Sequence, residues 1–277
     1  MYATHSVTGM TPTLARRAGA VTLIAATAAA LAGCGGGIGA RLTYDDTEKV
    51  KVSEIVLTGG GSGNVTVTTA AIPDTRIKRI VRTDGSADPQ TSYRLVGTVL
   101  TLDTTCGPQC MVSYEIQAPT GVAVRGRLGS GDISLSDIAT ADVTVGSGDV
   151  LIDRASGAVS MKSGSGDIVA NDLVGGATLV TGSGDVDAHG LAGGKAVHAQ
   201  TGSGNVTVEL AEAASVTARA GSGDIELTVP DGAYQVKTRN GSGDLELLGL
   251  VDDPSAKNII EVQTGSGDAT ITATPGR

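Results

Sequence analysis

Four residues, Gly-Ser-Gly-Asp, return through most of this chain and limit what it can fold into. The motif begins at Gly129, Gly146, Gly164, Gly182, Gly221, Gly241 and Gly265, with an Asn-ending copy at Gly202 and an isolated one at Gly61. From Gly129 onward the starts are 17, 18, 18, 20, 19, 20 and 24 residues apart. Self-similarity at such a period marks units that cannot bury an apolar face alone and must stack.

The residues one and three after each Asp or Asn are aliphatic throughout, as in Ile133/Leu135, Val150/Ile152, Val206/Val208 and Leu245/Leu247. The residues between them are mixed: Ser134, Leu151, Val169, Asp187, Thr207, Glu226, Glu246 and Thr270. Period-two alternation of this kind predicts a strand with one buried face. Positions three and five before the first Gly are also mostly apolar, as in Met161/Val159 and Ala218/Val216, whereas positions two and four are polar, as in Lys162/Ser160 and Arg219/Thr217. Each repeat therefore reads as strand, tight turn, strand and looser turn. The predicted fold is all-β, a single-stranded β-solenoid of stacked 17–20-residue coils over residues 122–277, preceded by an N-terminal β portion over 50–121 that contains a hairpin.

The motif's glycines suit a tight turn that needs positive φ. The column Asp132, Asp149, Asp167, Asp185, Asn205, Asp224, Asp244 and Asp268 is expected to cap the turns by accepting backbone N–H groups, a role that Asp and Asn share. A calcium column is the alternative reading. Against it, each coil offers one carboxylate, Asn205 interrupts the run, and calcium takes six to eight oxygens.

The first 33 residues hold no acid, and Arg16-Arg17 precede an apolar run from Ala18 to Ala32. The run is short for a membrane span and fits a signal-peptide core. It ends in Leu31-Ala32-Gly33-Cys34, small residues directly before a cysteine, which resembles a bacterial lipobox. The expectation is a signal peptide over 1–33, an acylated (palmitate-bearing) Cys34 and a flexible tether over 34–49; an ordinary secretory signal with an incidental cysteine is the alternative. More than one acyl chain makes such anchoring durable.

Cys106 and Cys110 flank Gly107-Pro108-Gln109 between stretches read as a hairpin pair, Tyr93 to Asp103 and Met111 to Gln117. In an oxidising compartment a disulfide at this tip is expected. A redox pair is the alternative, although the spacing is not that of C-x-x-C oxidoreductases.

The chain carries 29 acidic and 20 basic residues, for a net charge of −9, with no Phe and no Trp. This balance argues against nucleic acid as a partner. His189 and His198 read as solvated rather than as metal ligands. No motif for phosphate, zinc or an acyl nucleophile stands out, so neither a catalytic residue nor a cofactor is assigned. Charge looks evenly spread along the repeats, which argues against a lyase groove.

The repeats, following Tyr114-Glu115-Ile116-Gln117-Ala118-Pro119, resemble the bacterial putative-adhesin family of β-strand-repeat domains of unknown function over about Val50 to Thr274. The cysteine pair and Asp45-Asp46 are similar to actinobacterial lipoprotein members. The resemblance implies a β-solenoid on the cell envelope and carries over no catalytic residues. The functional expectation is a non-enzymatic, lipid-anchored module on the extracytoplasmic face of the cell membrane that binds an envelope or surface component, adhesin-like. The alternative is an envelope-stress accessory that senses membrane damage or cationic peptides. The C-terminal end of the stack, left without a capping helix, invites edge-to-edge self-association.

Overall fold

A computed structural model describes residues 40–84, 92–107 and 109–275. The N-terminal strands are β1 (Ala40–Glu48), β2 (Glu54–Thr58), β3 (Val65–Ala70), β4 (Thr75–Thr83), β5 (Tyr93–Val96), β6 (Val99–Asp103) and β7 (Cys110–Pro119). The repeats supply β8 (Ala123–Ser130), β9 (Ile133–Ile138), β10 (Thr140–Ser147), β11 (Val150–Ala155), β12 (Val159–Ser163), β13 (Ile168–Leu173), β14 (Ala177–Ser183) and β15 (Val186–Leu191). They continue as β16 (Val197–Ser203), β17 (Val206–Leu210), β18 (Val216–Ser222), β19 (Ile225–Pro230), β20 (Tyr234–Ser242), β21 (Leu245–Leu248), β22 (Asn258–Ser266) and β23 (Ala269–Thr274).

Every repeat places its strand before the Gly-Ser-Gly-Asp turn in one sheet and its strand after the turn in the other. The first sheet runs β20-β22-β18-β16-β14-β12-β10-β8-β2-β6-β5, the second β1-β4-β7-β3-β9-β11-β13-β15-β17-β19-β23-β21. Pairing is parallel and in register through the repeats, as in Val150↔Ile168 and Ile152↔Ala170. The result is the all-β solenoid that the repeat period predicts, ten coils long. At about 4.8 Å per coil the stack extends about 45 Å.

The two sheets enclose an aliphatic core. Ile133, Leu135, Val150, Ile152, Ile168 and Ala170 are all buried, as the alternation requires. Beyond them the alternation breaks. The fifth residue after the Asp takes a left-handed backbone at Asp137, Arg154 and Asp172, with φ of 58°, 59° and 53°. This turns the sixth residue inward, so that Ile138, Ala155 and Leu173 join the core. Later coils keep strict alternation and bury the fifth residue instead, Leu210 and Val229.

Three expectations need correction. First, residues 40–48 are not a tether. They form β1, antiparallel to β4 from Ala40↔Thr83 to Glu48↔Thr75. Their polar composition hides a half-buried face, Leu42 and Tyr44, which packs against the core. Second, the stretches flanking the cysteines are not the two arms of one hairpin. β6 and β7 lie in different sheets and form a coil of the solenoid, whose corner carries Cys106 and Cys110. The antiparallel hairpin is β5–β6, turning at Gly97 with φ of 61°. Third, spatial order departs from chain order at both ends. The β6/β7 coil lies outside β2/β3, and the last coil of the chain, β22/β23, is inserted between β18/β19 and β20/β21. The exposed C-terminal end of the stack is therefore the β20/β21 coil.

Candidate functional site

The turn column is the most regular chemical feature of the molecule. In each repeat the third residue of the motif has positive φ, 127° at Gly166, for example, and a Cβ there would overlap the carbonyl oxygen of Gly148 in the adjoining coil. Glycine alone tolerates both the conformation and the approach. With the turns so closely stacked, the Asp side chains up to the end coil reach the next coil rather than their own turn. Asp149 N donates to Asp132 Oδ1 at 3.2 Å, Asp167 N to Asp149 Oδ1 at 3.0 Å and Asp185 N to Asp167 Oδ1 at 2.8 Å. The ladder continues through Asn205 (2.7 Å to Asp185 Oδ1), Asp224 (2.9 Å), Asp268 (2.8 Å) and then Asp244 (2.8 Å). At its other end Asp132 N donates to Asn64 Oδ1, and Asn64 N donates to Ser113 Oγ, both at 3.1 Å. The side chains thus cap turns, but across coils, and the column gains Asn64 and Ser113.

A second column, which the strand alternation did not single out, lies inside the same turns. Ser163, Thr181, Thr201 and Thr264 stand directly before the motif and are buried. Their hydroxyls donate to the carbonyl of the motif's second glycine in the preceding coil, Thr181 to Gly166 at 2.8 Å and Thr201 to Gly184 at 2.8 Å. The signal was legible as a recurring Ser or Thr before the first Gly. Turns along the stack are therefore held to their neighbours from outside by an Asp or Asn side chain and, where Ser163, Thr181, Thr201 and Thr264 stand, from inside by a hydroxyl as well.

Charge is sorted by sheet rather than spread evenly, which corrects the earlier reading. Outward positions of the first sheet from β8 to β20 carry Arg125, Arg127, Lys162, Arg219, Lys237 and Arg239 against Asp142 and Glu261. Outward positions of the second sheet from β9 to β21 carry Asp153, Asp187, Glu209, Glu226 and Glu246. At the bend of the second sheet Arg154 holds Asp137 through two bonds of 2.6 and 2.9 Å, which lowers the Asp137 pKa. Arg219 holds Glu261 at 2.8 Å, with the same effect on Glu261.

The N-terminal end is closed by an aromatic–cation plug. The Arg79 guanidinium lies 4.7 Å from the Tyr44 ring centroid and 5.4 Å from that of Tyr93, and its Nε is 3.4 Å from Asp46 Oδ2. The Tyr93 hydroxyl donates to Glu48 at 3.1 Å, and burial, with the charges of Asp46 and Glu48, raises its pKa. Buried Tyr114 bonds the carbonyls of Ser92 and Asp103 at 2.6 and 2.8 Å, and burial pushes its pKa up to about 12.

Cys106 and Cys110 are within bonding distance, their Cα atoms 5.3 Å apart. Cys34 lies outside the described residues. His189 and His198 sit on opposite sheets; His189 Nδ1 is 3.4 Å from Glu209 Oε2. Among the described residues no group of three or more His, Cys, Asp or Glu could hold a metal ion, and no helix is long and apolar enough to cross a membrane.

A sequence model described as Toastrack DUF4097 matches residues 113–272. Solved structures similar to this chain include the following two. One, described as a putative adhesin from Bacteroides fragilis, is 16% identical, over 84% of this chain and 97% of that chain, with a TM-score of 0.49. The other, described as a putative cell adhesion protein from Clostridium sporogenes, is 13% identical over 84% of this chain and 100% of that chain, with a TM-score of 0.26. No curated protein matches the chain.

Proposed function

From the premise that the chain belongs to the Toastrack DUF4097 family, we propose that it is a non-enzymatic surface module, a rod that binds through its sheet faces. Cys34 carries the acyl chains and holds the rod on the extracytoplasmic face of the membrane, after removal of residues 1–33. The 106–110 disulfide persists there and fixes the corner of the coil nearest the N-terminal plug. The observation that carries the reading is the sorting of charge along the repeats, with basic positions prevailing on the first sheet from β8 to β20 and acidic ones on the second from β9 to β21, where outward side chains repeat at about 4.8 Å. A face of that kind suits extended polymers or protein surfaces better than a small substrate.

The acidic face favours a second reading, capture of cationic peptides at a damaged envelope. The two differ in salt dependence, because contacts to exposed charges are screened beyond about 8 Å at physiological ionic strength. Photo-crosslinking of the full chain on intact cells, with partners identified by mass spectrometry, tests both. A foreign surface component retained at raised salt supports adhesion. A cationic peptide or membrane sensor lost at raised salt supports the second reading. Recovery of a covalently processed small substrate would overturn both.

A further inference from the structure

The two ends of the stack are finished differently. At the N-terminal end β1, β4 and β5 run antiparallel to their neighbours and cover the core, with Arg79 stacked between Tyr44 and Tyr93. At the other end β20 and β21 are the last strands of their sheets. Leu245, Leu247 and Leu248 are 40%, 37% and 42% exposed, although the first two occupy positions that are buried in other coils. Asn240 Oδ1 is buried at this end with no hydrogen-bond partner. The segment after β21 covers only the start of β20, where Asp252 bridges Tyr234 and takes the Val236 N–H. From Lys237 through Leu248 nothing among the described residues covers the edge.

We propose that this end coil is a docking surface for a second copy of the chain, arranged about a two-fold axis along the strands so that β20 of each copy pairs antiparallel with β21 of the other. Unpaired strand edges are templates for another chain, and a two-fold contact uses the same patch twice and closes. Head-to-tail stacking is blocked, because the N-terminal end is plugged. An axis along the strands keeps both Gly-Ser-Gly-Asp turns at the same edge. Counting back from the turn then sets Asn240 beside the partner's Leu245, Arg239 beside the partner's Glu246, Thr238 beside the partner's Leu247 and Lys237 beside the partner's Leu248. Outward residues meet outward residues and inward meet inward, as antiparallel pairing requires.

Charge selects this axis over its alternative. Lys237 and Arg239 are exposed on the first sheet, near a Glu261 that Arg219 already holds. Glu246 is exposed on the second sheet. The axis along the strands joins the basic face of one copy to the acidic face of the other. An axis across the strands at Arg239 and Glu246 would pair β20 with β20 and β21 with β21, setting Arg239 against Arg239 and Glu246 against Glu246. Like charges directly opposite on neighbouring strands are destabilising. At about 3.3 Å per residue and ~10 Å between sheets, the two copies bury on the order of 1,000 Å² in total. That lies at the low end for specific interfaces, so the dimer is weak and concentration-dependent.

The test uses the full chain, in membranes of cells that express it, with wild type as control for Cys34. The double variant R239C/E246C is expected to give a covalent dimer on mild oxidation, and R239C and E246C alone are not. In detergent micelles, sedimentation of wild type should show a dimer that E246R abolishes and the charge swap R239E/E246R restores, with circular dichroism unchanged. Cross-linking of E246C alone would overturn this pairing in favour of the other axis. A monomer at the highest attainable concentration, with no cross-link from the double variant, would overturn self-association altogether. Neither result bears on whether the sheet faces bind a surface component.

Discussion

Asp167 sits in the middle of the turn ladder and separates two roles of a carboxylate. Its Oδ1 accepts the Asp185 N–H at 2.8 Å, and its neighbours in the column, Asp149 and Asp185, also carry carboxylates. A hydrogen bond to a charged acceptor contributes about 1.5 kcal/mol at an exposed site, and a neutral one about 1 kcal/mol or less. Like charges ~5 Å apart in a water-like dielectric repel by about 0.8 kcal/mol per neighbour, roughly halved by physiological salt. Asp167→Asn keeps an acceptor and removes a charge, as Asn205 and Asn64 already do, so the two effects nearly cancel and stability stays within about 0.5 kcal/mol of wild type. Asp167→Ala removes both and should be less stable than Asp167→Asn by about 1 kcal/mol, a difference of about 2–4 °C in Tm for a domain of this size. The difference should not change with salt, because both variants lack the same charge. Thermal melts followed by circular dichroism, at low and high salt and with and without calcium, measure it. If the two variants melt together, the side chain does not act as an acceptor for the next coil. If calcium raises the Tm of wild type by several degrees but not that of Asp167→Asn, the column is a cation site and the capping argument fails.

Gly166→Ala should destabilise by about 3 kcal/mol, from a strained φ and a clash with the backbone of the adjoining coil; a melt within a degree of wild type would show that the turn can open. Asp137, Asp253 and Glu261 have lowered pKa values, through Arg154, Ser255 and Arg219 respectively. The unfolded chain therefore binds more protons, and their contribution is present above about pH 4 and lost as pH falls through the folded values, so Tm should drop on acidification below about pH 4. Tyr114 has the opposite sign: its folded pKa of about 12 lies above the ordinary value, so stability is intact below about pH 10 and declines as pH rises toward 12. Phenolate absorbance at ordinary tyrosine values in the folded state that Tyr114→Phe removes would contradict this. Cys34→Ala should move the protein out of the membrane fraction, and its retention there would refute the anchor. Replacing Cys106 and Cys110 with Ser should cost about 2 kcal/mol, since so short a loop gains little from closure; loss of all structure would mean that the corner does more than close a turn.

The solenoid, its period, the inward residues on either side of each turn and the capping role of the Asp column follow from the repeat itself. Local alternation and turn chemistry are written within a few residues, so they survive without knowledge of neighbours. Where alternation broke, at Asp137, Arg154 and Asp172, the cause was a left-handed residue that no apolar pattern announces. β1 was missed because an edge strand needs only a half-buried face, and Tyr44 finds its cover in Arg79, far away in the chain. The buried hydroxyl column was visible in the sequence, but its meaning was not, because its acceptors belong to other coils.

What the sequence by itself determined is the coil: a strand, a Gly-Ser-Gly-Asp turn and a second strand, repeated closely enough that stacking is forced. What only the tertiary structure decided is the order of the stack and the character of its surfaces. The insertion of β22/β23 ahead of β20/β21 decides which coil is exposed, and the assignment of alternate strands to opposite sheets separates the basic positions from the acidic ones. Identical turns make many stacking orders locally equivalent. The choice among them rests on contacts between residues far apart in sequence, which a local pattern does not encode.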